Sequence, residues 1–316
     1  MLTATGTLRS VDGIRRWGSP GRDCIATPSR MSHARGTIDH MPESPEVQAL
    51  AVELRARLRS REVVSVDVLE FALVKTRARP PSRLVGARLE DVVRHGKYVD
   101  LVFDVAHLVV SLGRHGWARW ASSQAEGPAG GNTPPALLSL GFDDGTVLEF
   151  TDAGEWVSLS AWVVDDPADV TGVASLGADP TDPDFVRADF DAVVRGRRKQ
   201  VKAILQDQKS LAGIGNAYSD EILFAARTNP VARASDLGEG DLDRLYASTL
   251  EVVRSAMDAR RGIPIAQLKA VKIGAMMVHG RAGQPCPQCA GAVRDFAFAG
   301  TTAQYCPACQ TGGVNL

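Results

Sequence analysis

The chain is short of cysteine, lacks any long apolar run and carries almost no net charge. Five cysteines in 316 residues are too sparse for a disulfide scaffold, which excludes the small secreted frameworks and points to metal instead. No apolar stretch reaches the roughly 18–20 residues that a membrane helix needs. A formal charge of −1 excludes global basicity as a sign of nucleic-acid binding, so any such surface must be local. What is present is ordinary for a globular protein, 44% apolar and 23% charged residues, and argues against a collagen, a coiled coil or a wholly disordered chain. The length accommodates two modest domains and a small module.

The first forty residues lack lysine and glutamate altogether, yet hold six arginines and three aspartates. They have no apolar core of 7–15 residues, which excludes a secretory signal peptide, and Asp12, Asp23 and Asp39 count against an organelle transit peptide. The stretch reads as a disordered leader or a misplaced start, with Met31 and Met41 as further start sites. Cys24 goes with it. Without those forty residues the chain keeps 30 basic and 34 acidic side chains, a charge of −4.

Periodic structure begins at Met41. Val47, Leu50, Ala51, Leu54 and Leu58 recur at helical spacing, and Ser44-Pro45 predicts an N-cap followed by proline at the first helical position. Strand-like runs follow at 63–69, 98–103, 108–112, 137–142, 146–150 and 156–164, with Asp144-Gly145 as a hairpin signal. The Gly-, Pro- and Ser-rich stretch 122–135 reads as a loop. After Pro180 and Pro183 the pattern turns helical, with candidates at 185–194, 200–208, 217–227, 241–260 and 265–272. The expected order is a β-sandwich or barrel, a helical domain and a small metal module.

Four short segments carry chemistry. Cys286-Pro-Gln-Cys289 and Cys306-Pro-Ala-Cys309 have the spacing of a tetrahedral four-cysteine zinc site closed by protein ligands, hence one structural ion. Redox C-x-x-C pairs or disulfides are the alternative. Gly213-Ile-Gly-Asn216 opens a helix and would expose backbone N–H groups to an anion. Upstream lie Arg195, Arg197, Arg198, Lys199 and Lys202, which suggest phosphate contacts; the bland reading is a solvated basic helix and an ordinary turn. Gly96-Lys97-Tyr98 at the head of a strand and Met41-Pro42-Glu43 before a helix are uninformative singly.

Together and in this order, the four resemble the Fpg/Nei family of DNA glycosylases (formamidopyrimidine-DNA glycosylase and endonuclease VIII). That family begins M-P-E-x-P-E-V, carries a G-K-Y lysine on a β-hairpin, and continues with a G-I-G-N-x-Y-x-D-E-I-L helix–two-turn–helix and a C-terminal zinc finger. The matching residues here are 41–47, 96–98, 213–223 and 286–309, and the likeness spans about 41–312. Gln304-Tyr305-Cys306 and the 310–313 stretch resemble actinobacterial members. The resemblance implies an α+β multidomain protein: a leader or misassigned start (1–40), an N-terminal catalytic β-sandwich with a leading helix (41–175), a helix–two-turn–helix domain (180–278) and a four-cysteine zinc-finger hairpin (280–312).

It further implies a bifunctional glycosylase and abasic-site lyase of base-excision repair. Pro42 would attack C1′ of a flipped-out nucleotide and form a Schiff base, Glu43 would act as general acid/base, and Lys97 would hold the flanking phosphate. β,δ-Elimination would follow. Asn216 and Lys202 would hold the DNA backbone, the basic cluster 195–202 would form one positive face with Lys269, Lys272, His279 and Arg281, and Arg114 and Trp156 would wedge the base stack. The partner implied is damaged double-stranded DNA, with no membrane and no nucleotide cofactor, for a cytoplasmic, nucleoid-associated monomer.

The chain departs from the pattern in four ways. Pro42 must be a free N-terminus to be a nucleophile, so translation is expected to start at Met41, with Met41 removed. The usual finger-tip arginine is replaced by Thr301, leaving Arg294 or another basic group to substitute. The usual L-G-M-S-G and T-D-P-R-R-F read Leu112-Gly-Arg-His-Gly116 and Thr151-Asp-Ala-Gly-Glu-Trp156, so the lesion preference of the best-known members does not transfer. The charge of −4 predicts modest, steeply salt-dependent affinity. The alternative reading is a non-catalytic DNA-binding protein on the same fold, recognising bent or abasic DNA; a third is an unrelated zinc-ribbon protein.

Overall fold

The computed structural model describes residues 41–121 and 134–316. The expected leader and all but the last two residues of the 122–135 loop lie outside the described residues. Helix α1 (Ser44–Leu58) buries Val47, Leu50, Leu54 and Leu58, the one-sided stripe that its spacing predicts. Its N-cap is Glu43, not Ser44, so Pro45 occupies the second helical position. The correction matters because it sets the Glu43 side chain outside the helix.

Eight strands make two four-stranded antiparallel sheets. One has the order β1 (Val63–Val68), β6 (Ala136–Phe142), β7 (Val147–Asp152), β5 (Gly116–Trp120). The other has the order β2 (Leu89–His95), β3 (Tyr98–Phe103), β4 (His107–Ser111), β8 (Ser160–Val164). Leu101, Leu108 and Val110 of one sheet share a core with Leu138, Leu148 and Phe150 of the other and with the apolar face of α1. Truncating such a leucine to alanine costs about 2–5 kcal/mol. The Asp144-Gly145 turn joins β6 to β7, with Gly145 at φ +81°.

Strands β2 and β5 were not legible as runs, and β8 begins at Ser160 rather than 156. The cause of the late start is Asp152. Its carboxylate accepts the N–H groups of Gly154 (2.9 Å), Ser158 (2.8 Å) and Leu159 (3.0 Å), which curls the chain out of the sheet.

A single turn, α2 (Thr171–Ala174), leads to helices α3 (Arg187–Val194), α4 (Val201–Leu205), α5 (Asn216–Ala225), α6 (Glu239–Arg260) and α7 (Ile265–Ala275). Helix α4 ends before the expected 208 because the Gln208 amide donates to the Gln206 and Ile214 carbonyls (2.9 and 2.6 Å) and accepts from Gly213 N–H (2.9 Å), folding residues 206–215 into the turn before α5. Helix α7 packs against α1 and the sandwich rather than against the helices that precede it in the chain. Ile265 and Leu268 join the sandwich core. Glu53 of α1 ties α7 down by accepting from Ile265 N–H (2.7 Å) and the Trp120 indole (2.8 Å). The last module is the hairpin β9 (Arg294–Phe298) and β10 (Thr301–Tyr305) followed by α8 (Pro307–Gln310). No helix among the described residues is long and apolar enough to cross a membrane.

Candidate active site

The residues expected to do chemistry meet where the start of α1, the β2–β3 turn, the N-terminus of α5 and helix α7 converge. Glu43 is buried. Its carboxylate accepts the backbone N–H of Gly215, of Ala217 at 3.0 Å and of Tyr218 at 3.4 Å, capping α5, where free donors and the helix dipole favour an anion. Lys272 of α7 lies 3.4 Å from Glu43 Oε1. Burial alone would raise the Glu43 carboxyl, but Lys272, then Lys97 and the Gly215 N–H, hold it below its ordinary value. Glu43 is therefore ionised at neutral pH.

Lys97 follows Gly96, which at φ +55° takes the first position of the two-residue loop between His95 and Tyr98. Its ammonium reaches within 3.8 Å of the Met41 sulfur. Gly215 separates Lys97 from Glu43 with no space to spare: a Cβ there would lie 2.6 Å from both Glu43 Cδ and Lys97 Nζ. Gly215→Ala is therefore expected to push the two apart and to lower turnover about 100-fold, the scale of a misplacement near 1 Å. A single-turnover rate within threefold of wild type would refute that packing argument.

A second buried carboxylate stands behind the first. Glu46 pairs with Arg260 of α6 at 2.6 Å and with Lys272 at 3.3 Å, and accepts the Tyr218 hydroxyl at 2.8 Å and the Glu43 N–H at 3.2 Å. Burial, reinforced by Glu46, raises Tyr218 well above the ordinary phenol value, so its hydroxyl stays a donor. Lys272 also donates to the Met41 carbonyl at 2.8 Å. Composition and motif had placed Lys272 only among surface cations; Arg260 and Glu46 had no expected role. The signal for Lys272 was faint, a lysine spaced to share the helix face of Ile265 and Leu268.

The two residues expected to wedge the base stack are brought to neighbouring loops. Ser158 Oγ accepts Arg114 N–H (3.0 Å) and His115 N–H (3.2 Å) while donating to Asp152 (2.8 Å), which binds the 112–116 turn to the 153–159 loop. Arg114 is exposed and Trp156 is 85% exposed. Behind them Lys269, one turn before Lys272, sits 5.1 Å over the Trp117 ring, and burial lowers its ammonium below the ordinary lysine value.

Other expected DNA contacts are placed differently. Lys202 is completely buried, with Asp220 at 2.6 Å, Ser219 Oγ at 2.7 Å and the Asn216 carbonyl at 3.3 Å. The reason is local: α4 turns it inward against α5, where an unpaired ammonium would be costly, so a carboxylate meets it. Asn216 is 6% exposed. Its amide donates to the Thr302 carbonyl of β10 (2.8 Å) and accepts from Gln206 (3.1 Å), so it fastens the finger to the turn. The 195–202 cluster is not one positive face: Arg195 pairs with Asp191 and Glu239, and Lys199 with Asp207, leaving Arg197 and Arg198 exposed. Arg281 is half-buried beside His279. The His279 ring gives Nδ1 to Asp220 (2.8 Å), while its buried Nε2 has no hydrogen-bond partner. Arg294 pairs with Tyr305 at the end of the hairpin away from the Ala299-Gly300 tip, so it does not stand in for the tip arginine.

A cavity of about 920 Å³ lies beside this cluster, lined in part by Gln48, Arg94, Asp179, Arg254 and Met257. Its arginines are engaged, Arg94 with Asp179 (2.6 Å) and Thr181 (2.7 Å) and Arg254 with the Pro180 carbonyl (3.1 Å), and Glu43 and Lys272 do not line it.

In the finger the sulfurs of Cys286, Cys289, Cys306 and Cys309 all lie within 4.8 Å of one another. A tetrahedron with metal–sulfur bonds near 2.3 Å has edges of about 3.8 Å, so the four thiols fit a metal ion.

Comparison with known proteins agrees with this arrangement. The formamidopyrimidine-DNA glycosylase N-terminal domain matches residues 41–156 and the formamidopyrimidine-DNA glycosylase H2TH domain matches residues 176–266. The chain is 32% identical to the formamidopyrimidine-DNA glycosylase of Geobacter metallireducens over 280 residues, covering 86% of this chain and 100% of that protein. It is also 32% identical to that of Mycolicibacterium gilvum, covering 85% and 98%. Among solved structures it is similar to MutM in complex with carbocyclic 8-oxo-G containing DNA, with a TM-score of 0.75, 25% identity, and 85% and 100% of the two chains covered. The Lactococcus lactis formamidopyrimidine-DNA glycosylase bound to AP-site DNA shares the fold, with a TM-score of 0.74 at 23% identity over 85% and 99% of the chains. Both halves of the chain match in the family's order and its full-length relatives align from end to end, so the chain belongs to the formamidopyrimidine-DNA glycosylase family of base-excision repair enzymes.

Proposed function

We propose that the active form begins at Pro42 and removes a damaged base from double-stranded DNA through a Schiff base on that residue. An amide nitrogen has no available lone pair, so Met41 must be absent for Pro42 to react. The flipped nucleotide presents C1′ to the secondary amine. The nitrogen lone pair forms the N–C1′ bond as the glycosidic pair leaves with the base. Ionised Glu43 takes the amine proton and delivers it to the ring oxygen, which opens the sugar to the iminium. Elimination of the 3′ and then the 5′ phosphate completes the lyase reaction.

Lys97 neutralises the flanking phosphate, and Arg114 with Trp156 fills the gap in the stack. Arg281 contributes a backbone contact, while Lys202 and Asn216 act from inside by holding α5 and the finger in place. The four cysteines hold one structural zinc. The protein works as a cytoplasmic, nucleoid-associated monomer and needs no nucleotide cofactor.

The observation that carries this reading is Glu43: a buried carboxylate kept ionised at the residue next to Pro42. The test is borohydride trapping on an abasic-site duplex with two proteins, the 316-residue chain and one beginning at Met41. The shorter protein is expected to form a covalent adduct at Pro42 and the longer one none. A folded, zinc-loaded short form that binds the duplex without an adduct would instead identify a non-catalytic DNA binder.

A further inference from the structure

Lys272 is the feature of the site that the mechanism above does not use. It projects from α7 into the space between the two buried glutamates, 3.4 Å from Glu43 Oε1 and 3.3 Å from Glu46 Oε2, with the Tyr218 ring 5.1 Å away. Its remaining contact is the Met41 carbonyl at 2.8 Å. That oxygen is bonded through one carbon to the Pro42 nitrogen, and peptide geometry separates the two by about 2.2 Å, so the ammonium stands within about 5 Å of that nitrogen. When Met41 is removed, the group facing Lys272 from that side is the new amine itself.

We infer that Lys272 is a positioning residue for the proline nucleophile: its fixed positive charge keeps the Pro42 amine unprotonated and Glu43 ionised in the same resting state. The inference rests on the reading that Pro42 is the nucleophile. The need is physical. Two buried carboxylates beside an amine would otherwise draw a proton onto it, and a protonated amine cannot attack C1′.

The charges facing this point are Glu43 and Glu46 at the start of α1, Lys97 from the β2–β3 turn, Arg260 from the end of α6, and Lys272 from α7. His279, after α7, also acts on Glu43, and Tyr218 from α5 is neutral. Arg260 is committed to Glu46, and Lys97 is the phosphate ligand, which leaves Lys272 to set the charge at the amine. Lys272 is not itself the nucleophile. Without Met41 its ammonium still lies against both glutamates, and although burial would lower it, Glu46 and Glu43 raise it above the ordinary lysine value.

The test is the pH dependence of single-turnover trapping by the chain beginning at Met41, with the adduct mapped by mass spectrometry. A like charge within this distance displaces a titration by about one unit or more. Lys272→Met should therefore move the acidic limb up by about one pH unit while changing affinity for a tetrahydrofuran abasic analogue by less than threefold. Lys272→Arg should restore the limb. Lys272→Gln carries the same expectation if the methionine variant does not fold. A role confined to packing would lower the melting temperature and leave the limb in place. An unmoved limb with the adduct on Pro42 overturns the inference and leaves the nucleophile standing. An adduct on Lys272, or none in the unsubstituted protein, overturns both.

Discussion

Glu43→Gln is expected to lower the rate of adduct formation about 100- to 10,000-fold, the range of general acid–base catalysis, while DNA binding stays within about tenfold. Glutamine is nearly isosteric and keeps one of the two oxygens, so the cap on α5 retains an acceptor either for Ala217 or for Gly215 and Tyr218. The negative charge opposite Lys272 and Lys97 is lost, and with it the group proposed to move a proton between the amine and the ring oxygen. Quenched-flow trapping on an abasic duplex measures the rate, and anisotropy with a tetrahydrofuran duplex measures binding. A variant as fast as the unsubstituted protein would remove Glu43 from the mechanism.

The same carboxylate predicts the acid behaviour of the fold. Its value in the folded state is depressed, so its favourable contacts with Lys272 and Lys97 are fully present above the ordinary carboxylate range. They are lost as pH falls through the lowered value. Glu43→Gln should flatten that part of the acid unfolding curve.

Removal of the proposed zinc should have the second large effect. A zinc ion supplies a small finger with about 10–16 kcal/mol of folding free energy, and besides its cysteines this finger buries few apolar residues, Val293, Phe298, Ala303 and Tyr305. Chelation, or Cys289→Ser, should unfold β9 and β10 and break three tethers to the helical domain. These are Asn216 to the Thr302 carbonyl, Gln304 N–H to Asp220, and the Gln310 amide to the Thr228 carbonyl. DNA affinity should fall at least tenfold, about 1.4 kcal/mol, while the sandwich core melts nearly as before. Hydrogen exchange resolves the two regions. Full protection of residues 294–305 after chelation, with unchanged affinity, would show that the finger holds without metal.

The local elements were readable because their causes are local. Turn chemistry at Asp144-Gly145, the apolar stripe of α1 and the spacing of the cysteine pairs each depend on residues close in sequence. Strand β2 was missed because its exposed and buried positions do not alternate cleanly, and β5 because it is five residues long with an arginine inside it. The site was legible only in outline. Pro42, Glu43, Lys97, Arg114 and Trp156 came from motif and resemblance, and the structure gathers the last two on tied loops. Lys202 was misplaced because a basic run along the chain says nothing about which member turns inward.

By itself the sequence determined which elements form and which reactive groups exist, since periodicity, turns and chelate spacing act between neighbours along the chain. Tertiary structure alone decided their charge states and partners. Glu43 meets the Gly215 amide 172 residues away and Lys272 229 residues away. Whether a buried carboxylate is ionised depends on the sum of burial and nearby charge at one point in space. No reading of adjacent residues contains that sum.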